Sequence, residues 1–294
     1  SDIGVSNALL SDFAGSGASY TVLVTPNADG AVTLDVAAAV AQDVAGNDNS
    51  AATQLTATYD ATAPTAVISG ASGYINAAFT ATITFSESVN DFVVGDIAVL
   101  NATLADFSGS GDTYSVRVTP TTDGAVTLDV AANAAQDAAG NNSAAAAQLA
   151  VTYDAIAPTV LLSAPATLVN AAFTATITFS ENVTDFVVAD ISASNATLSD
   201  FSGSGTSYTV LVTPTTDGTV TLDVVNAVAV DVAGNSNNAA GQLVVTYDAT
   251  APTVALTTAA TLINEPFTVT ATFSETVTGV ELTDFVVTNG TAGN

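Results

Sequence analysis

Carboxylates are the side chains in this sequence best equipped for chemistry, and they return in phase. Asp60 stands in the stretch Tyr59-Asp60-Ala61-Thr62-Ala63-Pro64-Thr65, which comes back around Asp154 and again around Asp248, 94 residues apart each time. Each copy lies between two alternating apolar runs, so it reads as a joint between modules, with the Pro stiffening entry into the next. In phase with Asp60 come Glu87, Asp91, Asp96, Asp137 and Asn141 downstream and Asp29 upstream. Around Asp154 the set is Glu181, Asp185, Asp190, Asp231, Asn235 and Asp123. Around Asp248 it is Glu275, Asp284 and Asp217, and Gly279 takes the place matching Asp185. Like charges brought close repel unless a cation sits between them, and hard carboxylate oxygens suit Ca²⁺, which takes about 6–8 such ligands. The spacing is not that of an EF-hand loop, which needs acidic residues at alternating positions and a closing Glu.

Each of these residues also has a plainer use. Asp-Gly at 29–30, 123–124 and 217–218 is a turn signal. Asp137-Ala-Ala-Gly140-Asn141 reads equally as a helical turn ended by Gly. Asp96 and Asp190 could cap strand starts, and a linker Asp can simply be solvated. Asn101-Ala-Thr103 and Asn195-Ala-Thr197 match the glycosylation acceptor pattern, which arises by chance in a chain rich in Asn and Thr.

Charge narrows the function classes. The chain carries 28 acidic residues against one base, Arg117, and has no Lys, His, Cys, Met or Trp. Such a field repels phosphate backbones and anionic membranes, which excludes nucleic acid as a partner and disfavours docking on lipid. It attracts cations, and it also confers solubility on its own. An enzyme is not expected, because no His, Cys or Lys can serve as base or nucleophile. Paired carboxylates can hydrolyse glycosides, but a set recurring at every joint belongs to a scaffold. Without Cys there is no disulfide from which to read the redox compartment. No apolar run approaches the ~18 residues of a membrane span. Ser1 begins mid-pattern with neither initiator Met nor signal peptide, so the chain is expected to be a window of something longer.

The elements that must position the carboxylates are strands. Phe79-Thr-Ala-Thr-Ile-Thr-Phe85 alternates strictly, placing Phe79, Ala81, Ile83 and Phe85 on one face. Tyr114–Thr119, Val126–Val130 and Leu149–Tyr153 alternate likewise, and shorter strands fit 66–68, 96–99 and 103–107. Turn signals at 70–73, 108–111 and 121–124 separate them. Seven short strands, A to G, in a 94-residue period predict tandem immunoglobulin-like β-sandwich repeats, all-β, arranged as an elongated rod. The antibody Cys pair and core Trp are missing, so only the architecture is implied. The Ala-rich segment 130–137 is expected to form a short helical turn between F and G. The expected repeats are 1–59 (partial, strands C to G), 60–153, 154–247 and 248–294 (partial, strands A to C). If successive strands run antiparallel, the B–C, D–E and F–G connections all lie at the end of the module beside its N-terminal joint. That direction brings the acidic set together.

Taken together, Phe79–Glu87, Asp106-Phe-Ser-Gly-Ser-Gly111, Val118–Gly124, Asp137–Asn141 and Tyr153–Thr159 resemble the bacterial Ig-like repeats of very large surface adhesins and biofilm-associated proteins. The resemblance covers essentially the whole chain. It implies an extracellular stalk on the bacterial cell surface, exported by type I secretion, with the adhesive tip, anchor and secretion signal elsewhere. In related arrays Ca²⁺ at the junctions makes the string rigid. The first expectation is therefore a structural extender whose partners are neighbouring repeats. A second is the subunit of an extracellular filament completed by strand exchange between copies, since the first module starts near strand C and the last stops after it. A third, a sugar- or protein-binding module, has only the unrepeated loop aromatic Tyr74 to offer.

Overall fold

A computed structural model describes residues 2–293. Ser1 and Asn294, at the outer limits of the expected first and last repeats, lie outside the described residues. Contacts divide the chain into two compact units, Ser1–Ile156 with Val232–Asn235, and Ala157–Asp231 with Ser236–Asn294. The chain is almost entirely β-structure, as its patterning predicts, with three single-turn 3-10 segments and no α-helix among the described residues.

The first unit holds β1 (Ile3–Ser6), β2 (Ala8–Ser16), β3 (Ser19–Pro26), β4 (Gly30–Val36) and β5 (Leu55–Tyr59). After the joint come β6 (Ala66–Ser69), β7 (Tyr74–Ile75), β8 (Phe79–Val89), β9 (Ile97–Leu100), β10 (Ala102–Pro120), β11 (Gly124–Val130) and β12 (Leu149–Tyr153). Residues 60–153 make a complete sandwich of two sheets, ordered β10-β8-β6 and β7-β12-β11-β9. Period-two alternation puts Ala81, Ile83 and Phe85 of β8 against Val116 and Val118 of β10 and Val126, Leu128 and Val130 of β11, all buried. A side chain such as Ile83, fully buried, contributes about 1.5–3 kcal/mol by leaving water. Phe85, Phe92, Phe107 and Tyr114 close the joint end of this core, with ring centroids 5.0–6.1 Å apart.

Three features differ from the sequence expectation. Expected strands D and E are one continuous run, β10, folded back on itself. At the fold Gly109 has φ +124°, and a Cβ there would lie 2.3 Å from the Thr113 carbonyl oxygen, so only Gly fits. An additional short strand, β7, pairs in parallel with β12. The expected helical turn at 130–137 does not form; turns and isolated bridges between Asn90 and Gln136 and between Gln136 and Asn142 replace it. Two local preferences outcompete the helix. Asn133 adopts φ +65°, and the Asp137 carboxylate accepts the amides of Ala139 and Asn141, which closes an Asx-type turn at the end of the segment.

The earlier module of this unit has the sheet β1-β4-β5 and the two-stranded pair β2-β3. The second unit holds β13 (Val160–Ser163), β14 (Leu168–Val169), β15 (Phe173–Val183), β16 (Ile191–Ser194), β17 (Ala196–Pro214), β18 (Gly218–Val224) and β19 (Leu243–Tyr247), then β20 (Val254–Thr258) and β21 (Val269–Phe273). Its sandwich repeats the same plan, β13-β15-β17 against β14-β19-β18-β16, and β20-β21 stand as a separate pair.

Candidate functional site

The joint after β5 gathers three acidic residues of the first unit. Asp60 follows β5, Glu87 lies near the end of β8, and Asp137 sits in the connection from β11 to β12. One carboxylate oxygen from each lies within 4.8 Å of the others. Asp137 is buried, 4% exposed, and the other two are half-buried. The chain builds the site with local hydrogen bonds. Asp137 Oδ1 accepts the backbone amides of Ala139 (2.8 Å) and Asn141 (2.9 Å). Asn141 Nδ2 donates to Asp137 Oδ2 at 2.8 Å and to the Asp60 carbonyl at 3.1 Å, tying this loop to the joint. From the preceding module, Asp29 accepts the Ala61 amide at 2.8 Å and the Thr62 hydroxyl at 2.5 Å. The Ala144 amide donates to the Pro64 carbonyl at 2.8 Å, so the linker is held along its length.

The charges are unevenly eased. Partial burial pushes the Glu87 carboxyl up, and repulsion from Asp60, Asp137 and Asp29 adds to it. Glu87 accepts no hydrogen bond among the described residues. Burial also opposes ionisation of Asp137, but the donors from Asn141, Ala139 and Gly140 outweigh it and hold that carboxyl low. The Thr62 hydroxyl and the Ala61 amide hold Asp29 low. The single base cannot help. Arg117 pairs with Thr80, seven residues along β8 from Glu87, about 23 Å away at the strand rise. Two ligands on opposite sides of a Ca²⁺ at 2.3–2.6 Å are about 4.6–5.2 Å apart, so three hard oxygens within this spread fit that ion.

Other expected residues are placed differently. Asp96 Oδ2 accepts the Val93 amide at 2.8 Å and closes the turn Val94–Asp96; Asp190 does the same with Val187 and Asp284 with Glu281. Asp96 and Asp190 serve the turns before β9 and β16, the plainer of their two uses, and Asp284 closes the matching turn after β21. Asp91 and Asp185 are exposed, with φ +66° and +67°, at bends where Asx residues tolerate the left-handed region. The set around Asp154 is divided: Asp123, Asp154 and Asn235 belong to the first unit, and Glu181, Asp185, Asp190 and Asp231 to the second. Within the first unit Asp123 accepts the Ala155 amide at 2.8 Å, and Asn235 Nδ2 donates to the Asp154 carbonyl at 2.9 Å. Ile156 replaces the threonine found at 62 and 250, so Asp123 has no hydroxyl there. In the second unit Asp217 bonds the Ala249 amide at 2.8 Å and the Thr250 hydroxyl. Asp248 and Glu275 form no three-carboxylate group among the described residues.

Two sets escaped the sequence reading. Asp43 accepts the amides of Ala45 and Asn47 at 2.8 Å and Asn47 Nδ2 at 2.9 Å, the same arrangement as Asp137 and Asn141. The signal was available, because Asp43 lies one period before Asp137. Asn101, at φ +58°, donates Nδ2 to the carbonyls of Thr122 (2.7 Å) and Ala125 (3.2 Å) and accepts from both Thr121 and Thr122. Asn195 repeats this, so both glycosylation-pattern asparagines are turn locks.

The fold and joints define a chain of tandem immunoglobulin-like sandwiches. It belongs to the bacterial Ig-like domain family, whose model matches residues 1–59, 60–153, 154–247 and 248–294. No curated protein matches it. Among solved structures it is similar to FdeC, an Escherichia coli adhesin, at 14% identity and TM-score 0.44, over 84% of this chain and 85% of that one. It is also similar to invasin, a bacterial integrin-binding protein, at 14% identity and TM-score 0.38, over 86% of this chain and 53% of that one. The adhesin InvE of Yersinia pseudotuberculosis matches 63% of this chain over 58% of its own, at 15% identity and TM-score 0.24. No helix among the described residues is long and apolar enough to cross a membrane.

Proposed function

We propose that these repeats are the extender region of a bacterial cell-surface adhesin or biofilm protein, held stiff at its joints by Ca²⁺. The observation that carries this reading is the approach of Asp60, Glu87 and Asp137 from three separate segments. Of the residues expected at this joint, these three would hold the ion; Asn141 and Asp29 orient the linker instead. A bound cation would offset the repulsion on Glu87 and tie the linker to two edges of the following module. Extracellular Ca²⁺ modules work at dissociation constants of about 10⁻⁴–10⁻³ M, the range in which such a site would fill outside the cell. With strands of about 7 residues at about 3.3 Å each plus loops, a repeat adds on the order of 40 Å. In this role the chain is no enzyme, and its partners are its neighbouring repeats. The test is small-angle scattering with and without chelator. Calcium should extend the maximum dimension, and an unchanged dimension would refute the stiffened joint.

A further inference from the structure

Each complete sandwich has two sheets and so four strand edges, and three of these edges are short. β6 and β9 run four residues and β7 two, and β13, β16 and β14 repeat those lengths in the second unit. The fourth edge is the first half of β10, 102–108, which folds back on the second half at Gly109; the Ser108 and Ser115 hydroxyls bond across the fold at 3.0 Å. The outer side of this half pairs with nothing among the described residues, and 196–202 of β17 stand likewise in the second unit. A long row of unpaired amides and carbonyls is a template for another strand. Here the modules carry almost the same row, since 102–108 and 196–202 differ only in Ala105 against Ser199.

Both rows are broken at one aspartate. Asp106 and Asp200 are exposed and left-handed, with φ +53° and +50°. The interruption is a bulge. In the first module, where the same hairpin is split into β2 and β3, Ser11 faces Leu23 and Ala14 faces Thr21, so Asp12 and Phe13 together stand against Val22. One period on, Phe107 packs against the core while Asp106 stays in water, and Phe201 and Asp200 do the same. A left-handed backbone by itself favours Gly or Asn, and the chain uses Asn for it at Asn101, Asn133 and Asn195. The Asp106 carboxylate has no internal task, for it accepts no hydrogen bond among the described residues. At Asp12 and Asp200 only the hydroxyl of the preceding serine donates, at 3.3 and 3.4 Å. We propose that Asp106 and Asp200 guard the open edges of their sandwiches, preventing a second copy of this chain from adding a strand there. An incoming strand would meet a broken ladder and would bury a carboxylate. With Arg117 as its single base, another copy has almost no counter-charge to offer. The acidity of the whole chain does not replace this guard. Salt screens overall repulsion, with a Debye length of ~3 Å at about 1 M, whereas the cost of desolvating a buried carboxylate persists.

The experiment is sedimentation velocity of the 294-residue polypeptide in EDTA and about 1 M NaCl, where overall repulsion is screened, over rising concentration. Asp106→Asn combined with Asp200→Asn keeps the side-chain shape and the tolerance for left-handed backbone and removes only the charge. Asp91→Asn combined with Asp185→Asn removes the same charge from exposed left-handed positions outside these edges, and serves as the control. The edge variant should reach an apparent mass about twofold or more above wild type at equal concentration, and the control should sediment as wild type. Hydrogen exchange should then show slower exchange at 102–108 and 196–202 of the edge variant, with β11 and β18 unchanged. An edge variant that sediments as wild type would overturn the proposal, as would equal association of the control. Association accompanied by faster exchange in β11 or β18 would overturn it too, because the cause would be unfolding and not an unguarded edge.

Discussion

The same leucine occupies the same strand position three times, under different cover, and this permits an internal comparison. Leu128 and Leu222 are fully buried between two sheets, and Leu34 in the first module is half-buried. Leu→Ala removes about three carbon groups at ~0.8 kcal/mol each, roughly 2.4 kcal/mol of transfer, before any cavity is counted. Where surrounding side chains cannot collapse, the total rises to about 3–5 kcal/mol, and Leu128→Ala should fall in that range. At Leu34 part of the side chain already meets water and no closed cavity forms, so about 1 kcal/mol is expected there. Hydrogen exchange read by mass spectrometry suits a multi-module chain, because it reports each strand separately where a single melting curve would not. Protection of β11 should drop sharply in Leu128→Ala, and protection of β4 only slightly in Leu34→Ala. Equal losses at the two sites would refute the claim that the depth of burial sets the cost.

Glu87→Gln should weaken Ca²⁺ binding at the first joint at least tenfold by calorimetry, yet leave metal-free stability unchanged or higher, because it removes a repelled charge. Stability of the metal-free module should peak at mildly acidic pH. Glu87 has a raised folded pKa, so its contribution is complete below the ordinary glutamate value and is lost as pH rises through the raised one. Asp29 and Asp137 have lowered folded pKa values, so theirs is present above the ordinary aspartate value and is lost as pH falls through the lowered ones. Denaturation midpoints across pH should show both flanks, with the alkaline one abolished by Ca²⁺; a monotonic profile would contradict the assignment. Thr62→Val should bring the Asp29 carboxyl back toward its ordinary value in an NMR titration. Asn101→Ala should cost about 2–4 kcal/mol, through lost turn hydrogen bonds and a left-handed backbone without an Asx side chain, read as faster exchange at β10 and β11.

The sandwich was legible because period-two alternation is a direct imprint of a two-faced sheet, clearest in Phe79–Phe85. The 94-residue return of the Tyr-Asp-Ala-x-Ala-Pro-Thr stretch located the joints without any structure. Strand direction then gathered Asp60, Glu87 and Asp137. It placed Asp91 and Asp96 beside them too, because direction fixes which end of a module a residue occupies but not which way its side chain points. The amide that Asp96 accepts from Val93 turns it to a local task. β7 was invisible because two residues, Tyr74 and Ile75, carry no periodicity. The mistaken helical turn at 130–137 came from alanine propensity, a weak preference beside the Asp137 loop. Asp43 was overlooked because it lies in the incomplete module, although its phase with Asp137 is in plain view.

The short parallel pairing of β7 with β12 bears on how a module carries load. Thr152 donates to the Gly73 carbonyl and Asp154 to the Ile75 carbonyl, both at 2.9 Å, so the exit of the module is fastened beside the segment that follows its entry. When the ends are pulled apart, β7 and β12 are drawn in opposite directions along their own axes. Their hydrogen bonds are then sheared together, not peeled one at a time, and the module resists stretching until the set fails at once. This two-residue strand is thus expected to act as a clasp, so that removing its pairing should lower the force at which the sandwich opens in single-molecule stretching.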